Sequence, residues 1–309
     1  DTHKSLILSY SEDFSRIFMK KLLLSFLAIS MSALVAQAFS IEALRFHCAD
    51  DTTKINQILH EAVSNTSLKS AGSYMSFFAD KLLGTPYVAH TLEGDREYLS
   101  INVDQLDCTT FVETLAALTK AAKAKSPSWY AYASALESIR YHSGHIDGYA
   151  SRLHYISAWI IENANRGNFT EITSSLPHSE YLTKTINYMS THRDSYPALA
   201  DSATFEGIRN LEAGYNRHMY PYINKRNLYK KDLFADLRDG DIVCLTTKID
   251  GLDVSHLGIV RFVKGKPHLL HASSTAKKVI VDKDDLFEML KLSRNVTGIR
   301  VIRLTDDSF

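Results

Sequence analysis

The chain has 309 residues, 45% hydrophobic and 23% charged, with Lys plus Arg and Asp plus Glu equal at 35 each. That length buries a core without staples, and the near-average apolar share excludes a disordered or collagen-like polymer. Balanced charge leaves no excess of cation for a polyanion, so no nucleic-acid partner is expected.

Met19-Lys20-Lys21 opens an almost unbroken apolar run from Leu22 to Ala36, closed by Ala36-Gln37-Ala38. A basic start, an apolar stretch of about 7–15 residues and a small-x-small site describe a secretory signal peptide. The competing reading, a buried N-terminal helix, does not account for the order of charge, run and cleavage site. The run is shorter than the roughly 20 residues that span a bilayer comfortably. No cysteine follows the site directly, so no stable membrane anchor is expected. Residues 1–18 show no periodicity and are read as upstream of the true start; residues 19–38 are read as the signal peptide. Export would take the protein to the periplasm or outside the cell. Nothing in 39–309 looks like a linker, and that stretch is read as one domain.

From Asp51 to about Lys81 apolar residues fall at helical spacing (Ile55, Ile58, Leu59, Ala62, then Tyr74, Phe77, Phe78), and Gly84-Thr85-Pro86-Tyr87 breaks the pattern as a turn. A helix is predicted over 109–123, and others in the windows 129–141, 153–163, 180–192 and 204–215. After Asp239-Gly240-Asp241 the period shortens. Residues 242–246, 255–263, 268–273, 278–281 and 299–304 read as strands, with Lys264-Gly265 a hairpin turn. Helices first and strands last predict an α+β fold with an antiparallel sheet of about five strands.

Cys108 lies in Leu106-Asp107-Cys108-Thr109-Thr110-Phe111-Val112-Glu113, where loop becomes helix and Asp107 suits the N-cap. A thiol there meets the positive end of the helix dipole and unpaired N–H groups, which favour the nucleophilic thiolate and suit an oxyanion. A buried cysteine beside a helix start is the alternative. A nucleophile also needs a base. His256 begins a strand in Asp253-Val254-Ser255-His256-Leu257-Gly258-Ile259-Val260, and His271 lies in the next strand. A two-residue turn at 264–265 sets residue 271 opposite 258, so His256, Gly258 and His271 share a face, the histidines as diagonal neighbours. Cysteine, base and orienting imidazole are the set that covalent catalysis requires. Taken singly, each histidine reads as a core or surface residue; the shared face is what joins them. His142-Ser143-Gly144-His145 has ligand spacing without the partners of a zinc site and reads as a polar turn. Cys48 and Cys244 form either a bridge, which export would allow, or two buried thiols.

These residues resemble a known superfamily. Asp107-Cys108-Thr109-Thr110-Phe111-Val112-Glu113 is similar to the Asp-Cys-Ser/Thr-x-Phe-Val signature of the NlpC/p60 papain-like cell-wall hydrolases. Thr85-Pro86-Tyr87, Gly240-Asp241-Ile242-Val243 and Ser255-His256-Leu257-Gly258-Ile259 occur in that superfamily's order. Ser151-Arg152-Leu153-His154-Tyr155-Ile156-Ser157-Ala158-Trp159-Ile160, Gly251-Leu252-Asp253-Val254-Ser255-His256 and His271-Ala272-Ser273-Ser274 resemble its N-acetylmuramoyl-L-alanine amidase-like branch. The likeness runs from about Leu82 to Leu304.

The resemblance implies a single hydrolase domain over 39–309 with a papain-like core: a helix with cysteine at its N-terminus, packed on a sheet that supplies the histidines. It implies Cys108 as nucleophile, His256 as base and His271 as third polar group, with no metal or organic cofactor. Tyr87 would lie beside the thiol. Arg152, Tyr155 and Trp159 would line the substrate cleft, and Ser255 is a further substrate-binding candidate. Read from the residues alone, the aromatic helix around Trp159 is core, while Arg152 suits a carboxylate partner. Ala158 departs from the acid expected before Trp159. The implied activity is hydrolysis of the N-acetylmuramoyl-L-alanine bond in peptidoglycan or muropeptides. A γ-D-glutamyl-diamino acid endopeptidase and a non-catalytic wall-binding protein are the alternatives.

Overall fold

A computed structural model describes residues 43–306; the signal peptide read over 19–38 and the segment before it lie outside the described residues. In chain order the elements are β1 (Leu44–Phe46), α1 (Asp51–Ser64), α2 (Ala71–Lys81), β2 (Leu99–Ile101), α3 (Cys108–Lys123), α4 (Trp129–Arg140), α5 (Ile156–Asn165), β3 (Phe169–Glu171), β4 (Ser179–Thr183), α6 (Tyr188–Thr191), α7 (Ser202–Tyr215), β5 (Met219–Asn224), β6 (Ile242–Thr247), β7 (Val254–Val263), β8 (Lys266–Ser273), β9 (Lys278–Asp285), α8 (Leu286–Lys291) and β10 (Val296–Leu304). The fold is α+β.

Helix α3 organises one side. Asp107 accepts the N–H of Thr110 at 2.8 Å while the Thr110 hydroxyl meets the N–H of Asp107 at 2.9 Å. That reciprocal cap fixes the first turn. Four alanines and two leucines then favour helix and keep its girth small, so twelve of sixteen residues are buried. The chain leaves the helix at Ala124 in extended conformation, just before Pro127. Glu113, on the buried face, is met by Arg140 of α4 at 2.7 Å, both side chains 3% exposed. Arg140 also donates to the carbonyl of Ser100 in β2 at 3.1 Å.

The large sheet has the order β4-β5-β10-β6-β7-β8-β9, with β3 beside β10, and all its pairings are antiparallel. Helix α3 packs against β7 and β8. A hydrophobic layer of Val243, Leu245, Val260, Leu269, Ile299 and Val301 continues into Leu286 and Leu290 at α8. Lys264 and Gly265 both have positive φ, 50° and 77°, which matches a two-residue hairpin joining twisted strands. Val263 faces Lys266 and Ile259 faces Leu270, the register expected from the sequence.

Several expectations are corrected. The sheet has eight strands, not about five. The window 180–192 is strand β4 followed by the four-residue α6, not a helix. β4 is a largely exposed edge without apolar alternation, and its partner β5 carries Pro221, which normally argues against a strand. Helix α5 begins at Ile156 rather than 153. Residues 84–87 follow a turn closed by Thr85 N–H and Leu82 C=O, and they also bridge the sheet: Gly84 N–H and Thr85 C=O bond to Val279, and Tyr87 N–H donates to Lys277 C=O at 2.9 Å. This segment covers the outer edge of β9 and reaches back to Leu106, whose N–H donates to Pro86 C=O at 3.1 Å.

The Gly240-Asp241 pair is structural. Gly240 has φ +87°, and a Cβ there would lie 2.5 Å from the Gly72 carbonyl oxygen in the first turn of α2. Asp241, 2% exposed, accepts Arg303 of β10 at 2.7 and 2.8 Å. Backbone contact on one side and a bidentate ion pair on the other seat the start of β6.

Candidate active site

Cys108 is the first residue of α3. Its helix packs against β7 and β8, and the backbone N–H groups of Leu257, the residue after His256 in β7, and of Thr109 favour its thiolate. The nucleophile candidate therefore lies against the strand that carries the base candidate. Burial, joined by the Asp107 carboxylate, pushes the thiol up to about 11, against these donors and the Thr109 side chain. Desolvation outweighs the helix start, so the thiol is neutral at rest, contrary to the thiolate expected from sequence.

His256 and His271 meet as their spacing predicted. Nε2 of His256 lies 2.6 Å from Nδ1 of His271, and the rings are perpendicular with centroids 4.8 Å apart. One proton is shared in that contact. Burial, then the neighbouring His271, lowers His256 to about 3. Burial also lowers His271, although Asp282 opposes it. Both imidazoles are neutral at pH 7.

A cleft of about 690 Å³ opens beside the pair, lined by Ser255, His256, His271, Ser273, Asp282 and Lys283 among others; Cys108 is not among its lining residues. Two consecutive residues of β7 reach this cleft because pairing with β6 slips between Leu245↔His256 and Thr246↔Val254, leaving Ser255 as an unpaired bulge. A regular strand would turn them to opposite faces. Tyr87 stands on the thiol side: burial, then Cys108 and Asp107, raises its phenol.

The remaining substrate candidates lie elsewhere. Trp159 is 1% exposed and packs on Phe169 with ring centroids 4.6 Å apart. Tyr155 is buried, its hydroxyl donating to Glu212 at 2.7 Å and accepting Met189 N–H at 2.8 Å. Arg152 is engaged by Glu93 at 2.9 Å and Glu97 at 3.4 Å, under 10% exposed. None of the three lines the cleft beside the histidines. Asp253 is a residue that sequence reasoning left without a role: it is buried and binds the N–H of Ser157 in α5. Asp282 was missed altogether, since an acid on an exposed-looking strand gives no local signal.

His142 and His145 sit in a turn where Ser143 and Gly144 both have positive φ, each near one glutamate, Glu162 and Glu137. Among the described residues the one group with metal-ligand proximity is Cys48, Asp51 and Asp104, and there Lys54 already meets Asp104 at 2.5 Å. No described helix is long and apolar enough to cross a membrane.

Comparison with known proteins identifies the family. The sequence matches the AmiA-like, N-acetylmuramoyl-L-alanine amidase-like family over residues 77–299, a span that contains each candidate from Tyr87 to His271. A solved N-acetylmuramoyl-L-alanine amidase from Bacteroides uniformis is 40% identical, with TM-score 0.72, 76% of this chain and 99% of that chain covered. A Bacteroides fragilis structure provisionally named a xylanase is also 40% identical, with TM-score 0.69 and 73% and 99% covered. A Legionella pneumophila protein at 23% identity and TM-score 0.64, with 82% and 94% covered, shares the fold. The search of curated proteins found no match. The chain belongs to the AmiA-like family of N-acetylmuramoyl-L-alanine amidase-like proteins.

Proposed function

We propose that this protein is an exported, papain-like cysteine amidase of the NlpC/p60 kind, hydrolysing the amide between N-acetylmuramic acid and L-alanine in peptidoglycan fragments. The observation that carries the reading is the packing of α3, which begins at Cys108, against β7 and β8, the two strands whose imidazoles meet at 2.6 Å. With Nε2 of His256 committed to His271, Nδ1 is the nitrogen left to take the thiol proton. As the substrate carbonyl arrives, sulfur adds to its carbon and the proton passes to His256. The oxyanion develops beside the first turn of α3, whose leading N–H groups lack intrahelical partners. His256 then protonates the departing amine of L-alanine, and the same imidazole as base draws a proton from water to release the muramoyl carboxylate. Tyr87 on the thiol side and Ser255 in the cleft are the substrate contacts best placed for this step.

Glycosidase chemistry, suggested by the xylanase name, needs paired carboxylates about 5–10 Å apart across the scissile bond. Asp282 is the one carboxylate among the residues lining the cleft, which favours the thiol mechanism.

Digestion of purified muropeptides followed by mass spectrometry tests the proposal. Peptides with a free N-terminal L-alanine should appear with the wild type and vanish with Cys108→Ala. A sugar-dipeptide product would instead mark the endopeptidase alternative. Equal product from the Cys108→Ala protein would defeat both, and no product from the wild type would leave the wall-binding reading. The proposed export is checked by N-terminal sequencing of the mature chain, expected to begin just after Ala38.

A further inference from the structure

Behind the imidazole pair lies a third polar group. Nε2 of His271 is buried and has no hydrogen-bond partner, while Oδ2 of Asp282 stands 3.7 Å away. Oδ1 of the same carboxylate accepts the N–H of Asp284 at 3.0 Å, and the Asp282 carbonyl accepts from the His268 ring at 3.0 Å. The carboxylate is thus held at Oδ1 and its own backbone at the carbonyl, while Oδ2 is the oxygen nearest the unpartnered nitrogen. Ile280 pairs with His271 across β8 and β9, and Asp282, two residues further along β9, falls on the same face as that imidazole.

We infer that Asp282 is a positioning residue that sets the proton order of the whole relay, an inference resting on the amidase reading above. A carboxylate accepts and cannot donate, so it draws the His271 proton to Nε2. Nδ1 of His271 is then a lone pair. Across the 2.6 Å contact it must receive N–H from His256, so Nε2 of His256 carries the proton and Nδ1 is bare. The bare nitrogen is the one the Cys108 thiol needs. With the opposite order, His256 would present an N–H to the sulfur and could take no proton from it. The gap of 3.7 Å exceeds a hydrogen bond; closing it as substrate fills the cleft would tighten the order at the moment of proton transfer.

Nitrogen NMR of ¹⁵N-histidine-labelled protein at neutral pH reads the tautomers directly and needs no substrate. His271 should carry its proton on Nε2 and His256 on Nε2 in the wild type. Asp282→Ala should admit an Nδ1–H population at His271 and lower kcat about 10- to 100-fold, with KM within about twofold, the range for orienting groups behind a functional imidazole. Asp282→Glu should restore part of the loss. Asp282→Asn keeps the acceptor for Asp284 and serves if the alanine protein does not fold. A wild-type His271 protonated on Nδ1, an unchanged tautomer ratio in the alanine and asparagine variants, or unchanged kcat in them would each overturn the assignment. A wild type inactive on muropeptides would fail the amidase reading alone, because the nitrogen spectra still decide the proton order.

Discussion

The carboxylate of Asp253 accepts the N–H of Ser157 at 2.5 Å through Oδ2 and the N–H of Val254 at 2.8 Å through Oδ1. Asp253, three residues before His256, therefore fastens the start of β7 to the first turn of α5. Removing the acceptor leaves a buried N–H unpaired, at about 1–3 kcal/mol. Asp253→Ala should lower the urea midpoint accordingly and reduce kcat by loosening His256, with Asp253→Asn losing less. An alanine variant as stable as the wild type would contradict this role.

The resting pair of neutral thiol and neutral imidazole predicts how Cys108 meets an alkylating agent. With the thiol pushed up to about 11, iodoacetamide should react slowly at pH 7 and about tenfold faster per pH unit through the alkaline range. A plateau with a midpoint near or below 7 would instead reveal a stored thiolate–imidazolium pair.

The relay also orders the histidines by effect. His256→Ala removes the group that moves the proton, and should lower kcat about 10²–10⁴-fold. His271→Ala removes only its partner and should cost less. Reversal of that order in muropeptide kinetics would place His271, not His256, next to the reacting bond.

Burial lowers both His154 and His256 to about 3 from 6.5. Because the folded values are depressed, the unfolded chain binds more protons between these limits. Stability is full above about 6.5 and is lost as pH falls toward 3. His154, whose Nε2 lies 2.9 Å from the Tyr149 carbonyl, is outside the catalytic set. His154→Gln should flatten the acid limb of a stability curve measured from pH 7 to 4, and an unaltered slope would refute the attribution.

The Glu113–Arg140 pair gives a stability test away from the cleft. Arg140→Met strands a carboxylate inside the helical layer and should destabilise by about 3–5 kcal/mol. Replacing Glu113 by Gln in the same protein should recover much of that loss, and additive losses would argue against a coupled pair.

How much of this was legible in the sequence depends on how local the cause is. Period-two runs and Lys264-Gly265 announced the β7–β8 hairpin, and from it followed the His256–His271 contact. Asp107 marked the start of α3 as its N-cap, while its partner Thr110 emerged only in the structure. β4 and β5 escaped because an exposed edge and Pro221 remove the very signals a strand shows. Trp159 and Arg152 carried family resemblance, yet their surroundings come from distant Phe169, Glu93 and Glu97. Asp282 became meaningful only once the pairing of Ile280 with His271 set it on the face of that imidazole.

Cys48, Cys108 and Cys244 each stand alone, the last sealed within β6. No covalent crosslink therefore holds the described region together, and its architecture rests wholly on packing and polar contacts. A reductant strong enough to rescue an oxidised Cys108 would leave the scaffold untouched, so lost and regained turnover would report on that single sulfur.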